Sequence, residues 1–170
     1  MIDGALRLQT REATGCKARW STGYVKTRSW TQFRGYFESR MQITNKTGIN
    51  NAFWLTGPFL EIDIVEARYP RSIHVALHDW NRPHRGIGYH FEADAEIASA
   101  PHEYALLWLP DRLVFAFEGR ATYTIDSTYP RVPADIRFSS AIADFAGPTP
   151  ADPVGSEMNV YGLRVAPLIS

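Results

Sequence analysis

Apolar and polar residues alternate in short runs along most of the chain, and the runs are broken at Gly, Pro, Asn or Asp. Residues 35–43 show the pattern most clearly, because Phe37, Met41 and Ile43 share one parity. A period of two is typical of a strand with one buried face. We therefore predict strands at residues 5–9, 23–27, 35–43, 50–56, 61–66, 72–80, 88–92, 103–109, 113–117, 121–125, 136–145 and 158–165.

Helical patterns are nearly absent from the chain, and the only helical prediction is a single turn within residues 92–100. Eleven or twelve strands, with no linker, internal repeat or low-complexity segment between them, indicate one all-β domain over residues 1–170. Long antiparallel strands at this spacing favour a two-sheet antiparallel β-sandwich.

Composition and charge exclude several classes of partner. The formal net charge is zero and no run of Lys or Arg occurs, so nucleic acid is not expected as a partner. No apolar run reaches the roughly 20 residues that span a membrane. The first 15 residues lack the apolar core of a signal peptide, and Cys16 is the only cysteine, which excludes an internal disulfide.

Three carboxylates lie within six residues, in the segment Glu61-Ile62-Asp63-Ile64-Val65-Glu66. Strand alternation puts Glu61 and Asp63 on one face but turns Glu66 toward the core, where a lone carboxylate is costly to bury. A β-bulge at residues 64–65 adds one residue and returns Glu66 to the face of the other two. The sequence therefore predicts a bulged strand with three acids in a row.

Paired carboxyl groups on one face fit glycoside hydrolysis. In retaining enzymes one group attacks the sugar, the other protonates the leaving oxygen, and the two lie about 5–5.5 Å apart. Asp63, between the two glutamates, can hydrogen-bond one of them and help keep it protonated near neutral pH. The alternative interpretation is a solvated acidic strand paired with Arg68 or Arg71. No Gly-x-Ser-x-Gly, P-loop or dinucleotide-binding motif offers a competing chemistry.

Trp54, one predicted strand before the acids, is a candidate for substrate binding. Sugar rings stack on aromatic faces, and an indole offers the largest one. Since Phe53 and Leu55 already take the core side of that strand, we expect Trp54 on the cleft side rather than in the core.

Four polar or aromatic residues are further candidates for substrate binding. His78 and Trp80 share one strand face and lie either in a cleft or on an ordinary polar surface. Arg40 could reach a sugar hydroxyl or pair across strands, and Asn50 could bind a hydroxyl or cap a turn. The five His spacings match no zinc pattern, so we assign no catalytic metal.

The acidic segment matches the pattern E-x-D-x-x-E, and with it the chain resembles glycoside hydrolase family 16 in its bulged form. Further similar segments follow in the family's order and cover most of the chain. Residues 35–40 are similar to the strand before the active site, and residues 51–55 to the cleft floor. Residues 101–111 and 117–119 are similar to a hairpin region, and residues 161–165 to the closing strand.

The resemblance implies a concanavalin A-like jelly roll with a concave sheet that forms a glycan cleft. It also implies that Glu61 is the nucleophile, Asp63 an assisting acid and Glu66 the general acid/base. The bulged spacing is similar to laminarinase-like, agarase-like, porphyranase-like and carrageenase-like branches. Leu60 stands where many members have Gly, and residues 144–147 replace a Trp-x-Gly segment. The N-terminal edge strand is expected to be short or absent.

On this basis we expect a retaining endo-β-glycosidase that hydrolyses a β-linked polysaccharide, with β-1,3-glucan first. An agar-, porphyran- or carrageenan-type galactan, a non-catalytic glycan-binding module and a transglycosylase remain alternatives. No cofactor is expected, and a structural calcium follows only from the family resemblance. We expect a monomer that binds oligosaccharide and that, by analogy with the family, is secreted or periplasmic.

Overall fold

The computed structural model describes residues 4–15, 17–129 and 132–168. Within these residues the chain forms fourteen strands and one short 3₁₀ helix, Asp144–Ala146, which lies between β13 and β14. The strands are β1 Leu6–Gln9, β2 Arg11–Glu12, β3 Trp20–Ser21, β4 Tyr24–Lys26, β5 Gly35–Gln42, β6 Ile49–Gly57, β7 Leu60–Arg68, β8 Ser72–Asp79, β9 Arg85–Glu92, β10 His102–Trp108, β11 Arg112–Phe117, β12 Arg120–Asp126, β13 Asp135–Ile142 and β14 Glu157–Ala166.

Two six-stranded antiparallel sheets make up most of the fold, which confirms the predicted sandwich. The sheet that carries the acidic strand has the order β4-β13-β6-β7-β8-β9, and we call it the front sheet. The back sheet has the order β1-β14-β5-β10-β11-β12, and β2 and β3 form a separate two-stranded ribbon. The predicted short N-terminal edge strand is β1, which pairs with β14 over four residues.

The core lies between the two sheets and is built from the residues that the alternation assigns to it. Phe37 and Met41 on β5 are fully buried, as are Ile62 and Ile64 on β7. Trp108 and the other aromatic side chains of the hairpin region pack against the same cluster. Each fully buried side chain of this size contributes about 1.5–3 kcal/mol through removal from water.

Two predicted elements differ from the structure. Residues 92–100 contain no helical turn, because the backbone N–H groups of Ala93 and Ile97 bond to the carbonyls of Arg71 and Pro70 instead. The two side chains are buried against the core, so tertiary packing decides the conformation there. The strand predicted to reach residue 145 ends at Ile142, and the 3₁₀ helix follows it.

Candidate active site

The acidic strand β7 contains the predicted β-bulge. Asp63 lies opposite Ala76 of β8 and Glu66 lies opposite His74, so residues 64 and 65 together face the single residue Val75. The same irregularity appears against β6, where the register shifts between Phe53 and Trp54. Because the side chains at 64 and 65 are both buried, the three acids share the outer face of the front sheet.

Strand pairing extends each acid into a row of side chains across the front sheet, from β9 to β13 for Glu61 and from β9 to β4 for Asp63 and Glu66. Such rows run perpendicular to the strands, so a chain-like ligand along a row would contact one strand after another. The row of Glu61 is Asp135, Thr56, Glu61, His78 and Gly86; that of Asp63 is Lys26, Arg137, Trp54, Asp63, Ala76 and Gly88; that of Glu66 is Tyr24, Ser139, Ala52, Glu66, His74 and His90.

Glu66 accepts hydrogen bonds from three sides. Asn50 Nδ2 donates to its Oε1 at 2.7 Å, His74 Nδ1 lies 3.0 Å from its Oε2, and an Arg68 guanidinium nitrogen lies 3.4 Å from the same oxygen. Burial alone would raise the pKa of Glu66, but the His74 hydrogen bond and the Arg68 charge together hold it below its ordinary value. In the free protein this carboxyl group is therefore the most readily ionised of the three.

Asp63 is the most deeply buried of the three acids, with 6% of its surface exposed. Burial raises the pKa of Asp63, although His78 Nε2, 3.3 Å from its Oδ2, works in the opposite direction. The same contact raises the pKa of His78, because an imidazolium beside a carboxylate is favoured. The pair holds a proton between its two members more readily than either would alone.

Glu61 is partly buried and accepts a hydrogen bond from Trp80 Nε1 at 3.3 Å. Burial and the neighbouring charge of Asp63 raise the pKa of Glu61. Three carboxyl groups on one face, within six residues, thus have separated proton affinities, which is the electrostatic arrangement that acid and base roles require.

Aromatic and imidazole rings stack at the Glu61 side of the site. The rings of Trp80 and His84 are parallel with centroids 4.1 Å apart, and His78 stacks on both. His78 Nδ1 also lies 3.2 Å from His84 Nε2, so His84 contacts the site although its loop is exposed. The imidazole of His78 lies close over Gly86, where a Cβ would be 3.0 Å from Nδ1.

A cavity of about 140 Å³ opens directly above the acids. Trp54 forms part of its wall, and the indole Nε1 donates to Ser139 Oγ at 3.1 Å, which fixes the ring plane. Phe53 and Leu55 are fully buried, so Trp54 takes the cleft side as predicted. A larger cavity of about 380 Å³ opens between the edges of β9 and β12 and contains none of the three acids.

The structure brings Trp54, Asn50, His78 and Trp80 together with the three acids, as the sequence suggested. The prediction for Arg40 is wrong, because β5 belongs to the back sheet and Arg40 projects from the outer face of that sheet. Alternation assigns a residue to a face of its strand but not to a sheet, so it could not place Arg40.

Sequence reasoning missed or undervalued several neighbours of the acids. His74 contacts Glu66 directly, and Ser139 orients Trp54 from a strand more than eighty residues away. Arg68 contacts Glu66 and also stacks on Phe145, with its guanidinium carbon 4.8 Å from the ring centroid. The alternation of residues 136–145 already put Ser139 on a polar face, but nothing local indicated which strand it would join.

One metal-like cluster occurs in the described part of the chain, formed by one ligand atom each from Glu61, Asp63 and His78 within 4.8 Å of one another. Calcium takes six to eight oxygen ligands, so this small set with an imidazole does not fit a structural calcium site. The cluster consists of two of the three acids and the imidazole that contacts Asp63.

Comparison with known proteins agrees with this geometry. The family model of Glycosyl hydrolases family 16 matches residues 2–159. The chain is 29% identical over 182 residues to the endo-1,3-1,4-beta-glycanase EglC of Rhizobium meliloti (strain 1021). This alignment covers 94% of the chain but only 37% of EglC. The chain thus spans little more than a third of that relative's length.

Solved structures share the fold at low sequence identity. A prokaryotic beta-1,3-1,4-glucanase (lichenase) derived from a mouse hindgut metagenome superposes with a TM-score of 0.87 at 18% identity, over 98% of this chain and 81% of that one. The catalytic domain of an endo-1,3-beta-glucanase (laminarinase) from Thermotoga petrophila RKU-1 gives 0.80 at 17%, over 96% and 77%. Because the family model matches residues 2–159 of the chain, the chain belongs to Glycosyl hydrolases family 16.

Proposed function

We propose that this protein is a retaining endo-β-glycosidase that hydrolyses a β-linked glucan by double displacement, with β-1,3-linkages or mixed β-1,3-1,4-linkages as the target. The observation that carries the proposal is the bulge in β7, which sets Glu61, Asp63 and Glu66 on one face at the floor of a cavity with Trp54 in its wall. A relative named as an endo-1,3-1,4-beta-glycanase and the lichenase and laminarinase folds support this substrate class.

In the first step, a Glu61 carboxylate oxygen attacks the anomeric carbon while the Glu66 carboxyl group gives its proton to the glycosidic oxygen. The carbon–oxygen bond to the leaving sugar breaks, and a glycosyl ester forms on Glu61. In the second step, Glu66 takes a proton from water, the water oxygen attacks the same carbon and Glu61 is released as a carboxylate. Asp63, which contacts His78, stabilises Glu61 and Glu66 as their charges change during the two steps.

The order of pKa values in the free cleft is the reverse of the order that these roles need. Glu66 has a lowered pKa and Glu61 a raised one, whereas the first step needs Glu61 ionised and Glu66 protonated. Because the acids titrate as a coupled set, a bound glycan that displaces water has to reverse this order, so that the pKa of Glu66 exceeds that of Glu61. An exchange of roles, in which Glu66 attacks and Glu61 donates, is the second assignment that this charge pattern favours.

Azide rescue distinguishes the two assignments. With an aryl β-glucoside whose leaving group needs no acid, Glu61→Ala plus azide is expected to give the α-glycosyl azide, because azide replaces the missing nucleophile. Glu66→Ala plus azide is expected to give the β-glycosyl azide, because azide then attacks the glycosyl ester. The opposite pair of products would establish the exchanged roles, and full activity of Glu61→Gln on glucan would overturn catalysis by this site altogether.

The alternatives are separated by simple product measurements. A transglycosylase lengthens part of its substrate, a non-catalytic module binds without cleavage, and a galactanase prefers agarose, porphyran or carrageenan to laminarin and lichenan. We further propose that the protein acts as a monomer outside the cytoplasm. None of the helices in the described ranges is long and apolar enough to cross a membrane.

A further inference from the structure

Basic residues collect at the end of the front sheet that lies beyond Trp54. Arg137 on β13 neighbours Trp54 in the row of Asp63, and Lys26 on the edge strand β4 lies directly opposite Arg137. Lys26 is exposed, as is Arg28 in the bend that follows β4. We call Lys26 and Arg137 the basic platform.

Two like charges directly opposite each other destabilise an antiparallel pair, so the pairing of Lys26 with Arg137 has an energetic cost. Asp135 forms an ion pair with Arg137, because its carboxylate oxygens lie 2.7 Å from Arg137 Nε and 3.2 Å from a terminal guanidinium nitrogen. Across the described ranges of the chain, no carboxylate lies within ion-pair distance of Lys26 or Arg28. The basic platform therefore has more positive than negative charge.

The guanidinium of Arg137 is held in place by aromatic rings. Its central carbon lies 4.9 Å from the centroid of the Trp54 ring and 5.9 Å from that of Tyr24, and the two rings meet edge to face at 6.3 Å. Tyr24 is 52% exposed, so its ring is open to a ligand. A flat cation packed against two aromatic rings, of which Tyr24 is largely exposed, is a preorganised surface for a substituted sugar ring.

The other end of the same row offers no comparable charge. Beyond Asp63 the row continues with Ala76 and Gly88, which carry no polar side chain. Two of the arginines that follow the acids in sequence are paired with carboxylates, Arg68 with Glu66 and Arg71 with Glu92. Within the row of Asp63, the positively charged side chains therefore lie on the Trp54 side.

We propose that the basic platform is a subsite for an acidic group, a carboxylate or a sulfate ester, on a glycan residue bound two or three rings from the cleaved bond on the Trp54 side. Strands lie about 4.8 Å apart, so three steps from Asp63 to Lys26 span roughly 14 Å. Arg137 binds the anion with the donors that Asp135 leaves open, and Lys26 adds an unpaired charge. This inference rests on the proposed function and adds an acid-substituted glucan as the substrate class.

The test compares three soluble glucans of one backbone: neutral, oxidised to carboxylates at C6, and sulfated. For the wild-type protein we expect a higher kcat/KM on at least one acidic glucan than on the neutral one. Lys26→Gln and Arg137→Gln are each expected to lower the acidic-to-neutral ratio by about three- to fivefold, the size of a partly exposed charge pair. Arg137→Lys should retain part of the ratio, and high salt should remove it.

The matched control is Arg112→Gln, which removes a guanidinium paired with Asp111 on the back sheet and should leave the ratio unchanged. Equal kcat/KM on acidic and neutral glucans would overturn the subsite. An acidic-to-neutral ratio that stays unchanged in both Lys26→Gln and Arg137→Gln would overturn it too. Which acidic glucan responds identifies carboxylate or sulfate as the preferred group. If no glucan is cleaved, the proposed function fails instead, and calorimetric binding of the same three glucans still decides the subsite.

Discussion

Replacing His74 by Phe removes one of the three donors that keep Glu66 ionised, and this change should move one limb of the pH–rate profile. His74 Nδ1 lies 3.0 Å from Glu66 Oε2, and the two side chains are 27% and 19% exposed. A hydrogen bond to a charged group contributes about 1.5–3 kcal/mol, and partial exposure favours the lower end. The phenyl ring leaves Asn50 and Arg68 as partners.

The sign follows from the role of Glu66 as the acid. Removing a donor to its ionised form raises the pKa of Glu66, so the carboxyl group stays protonated to higher pH. About 1.5 kcal/mol corresponds to roughly a tenfold larger protonated fraction on the alkaline side. We therefore expect the alkaline limb of kcat/KM to move to higher pH, and kcat at low pH to fall less than tenfold.

The assay is kcat/KM on a mixed-linkage oligosaccharide across the acidic and alkaline range. His90→Phe is the matched control, because His90 lies opposite His74 in the same row but bonds to Ser72 and Glu92 instead. His74→Asn, which keeps a neutral donor, should fall between the two. An unmoved alkaline limb refutes the reasoning, and a shift of the acidic limb alone shows that Glu66 is the group that must be ionised.

Three further outcomes follow from the same geometry. Glu61→Gln should increase the free energy of unfolding at neutral pH by about 1 kcal/mol, which is measured as a higher Tm. The reason is that a raised pKa makes the ionised folded form costly, so the gain should vanish at acidic pH where the wild-type group is neutral. Trp54→Ala should raise KM about tenfold by removing a stacking face, whereas Tyr161→Ala on the exposed back sheet should not. Gly88→Ala places a Cβ 2.8 Å from His74 Nε2 and should displace the imidazole, so its pH profile should shift like that of His74→Phe.

The sandwich and its strands were predictable because burial of one face imposes a period of two on every long strand. β2 and β3, with two residues each, show no period and were missed. The bulge was predictable for a different reason, since Glu66 could escape the core only through one extra residue. Local chemistry thus determined the acidic strand with no knowledge of its neighbours.

The surroundings of the acids were less predictable, because they depend on pairings between distant strands. Ser139 and Arg137 reach Trp54 only because β13 pairs with β6, and Arg40 is excluded only because β5 lies in the back sheet. His74 faces Glu66 because the bulge shifts the register of β7 against β8 by one residue. Alternation alone contains none of this information.

The central claim is that Glu61 and Glu66, aligned by the bulge, act as nucleophile and acid/base in a retaining hydrolysis. Proton NMR of the first minutes of glucan cleavage tests it most directly, because the anomeric signals of new reducing ends appear before they equilibrate. In a retaining hydrolysis the β-anomer appears first, and the α-anomer grows in only through mutarotation. An α-anomer that appears first, or β-anomer release that persists in Glu61→Gln, would contradict it.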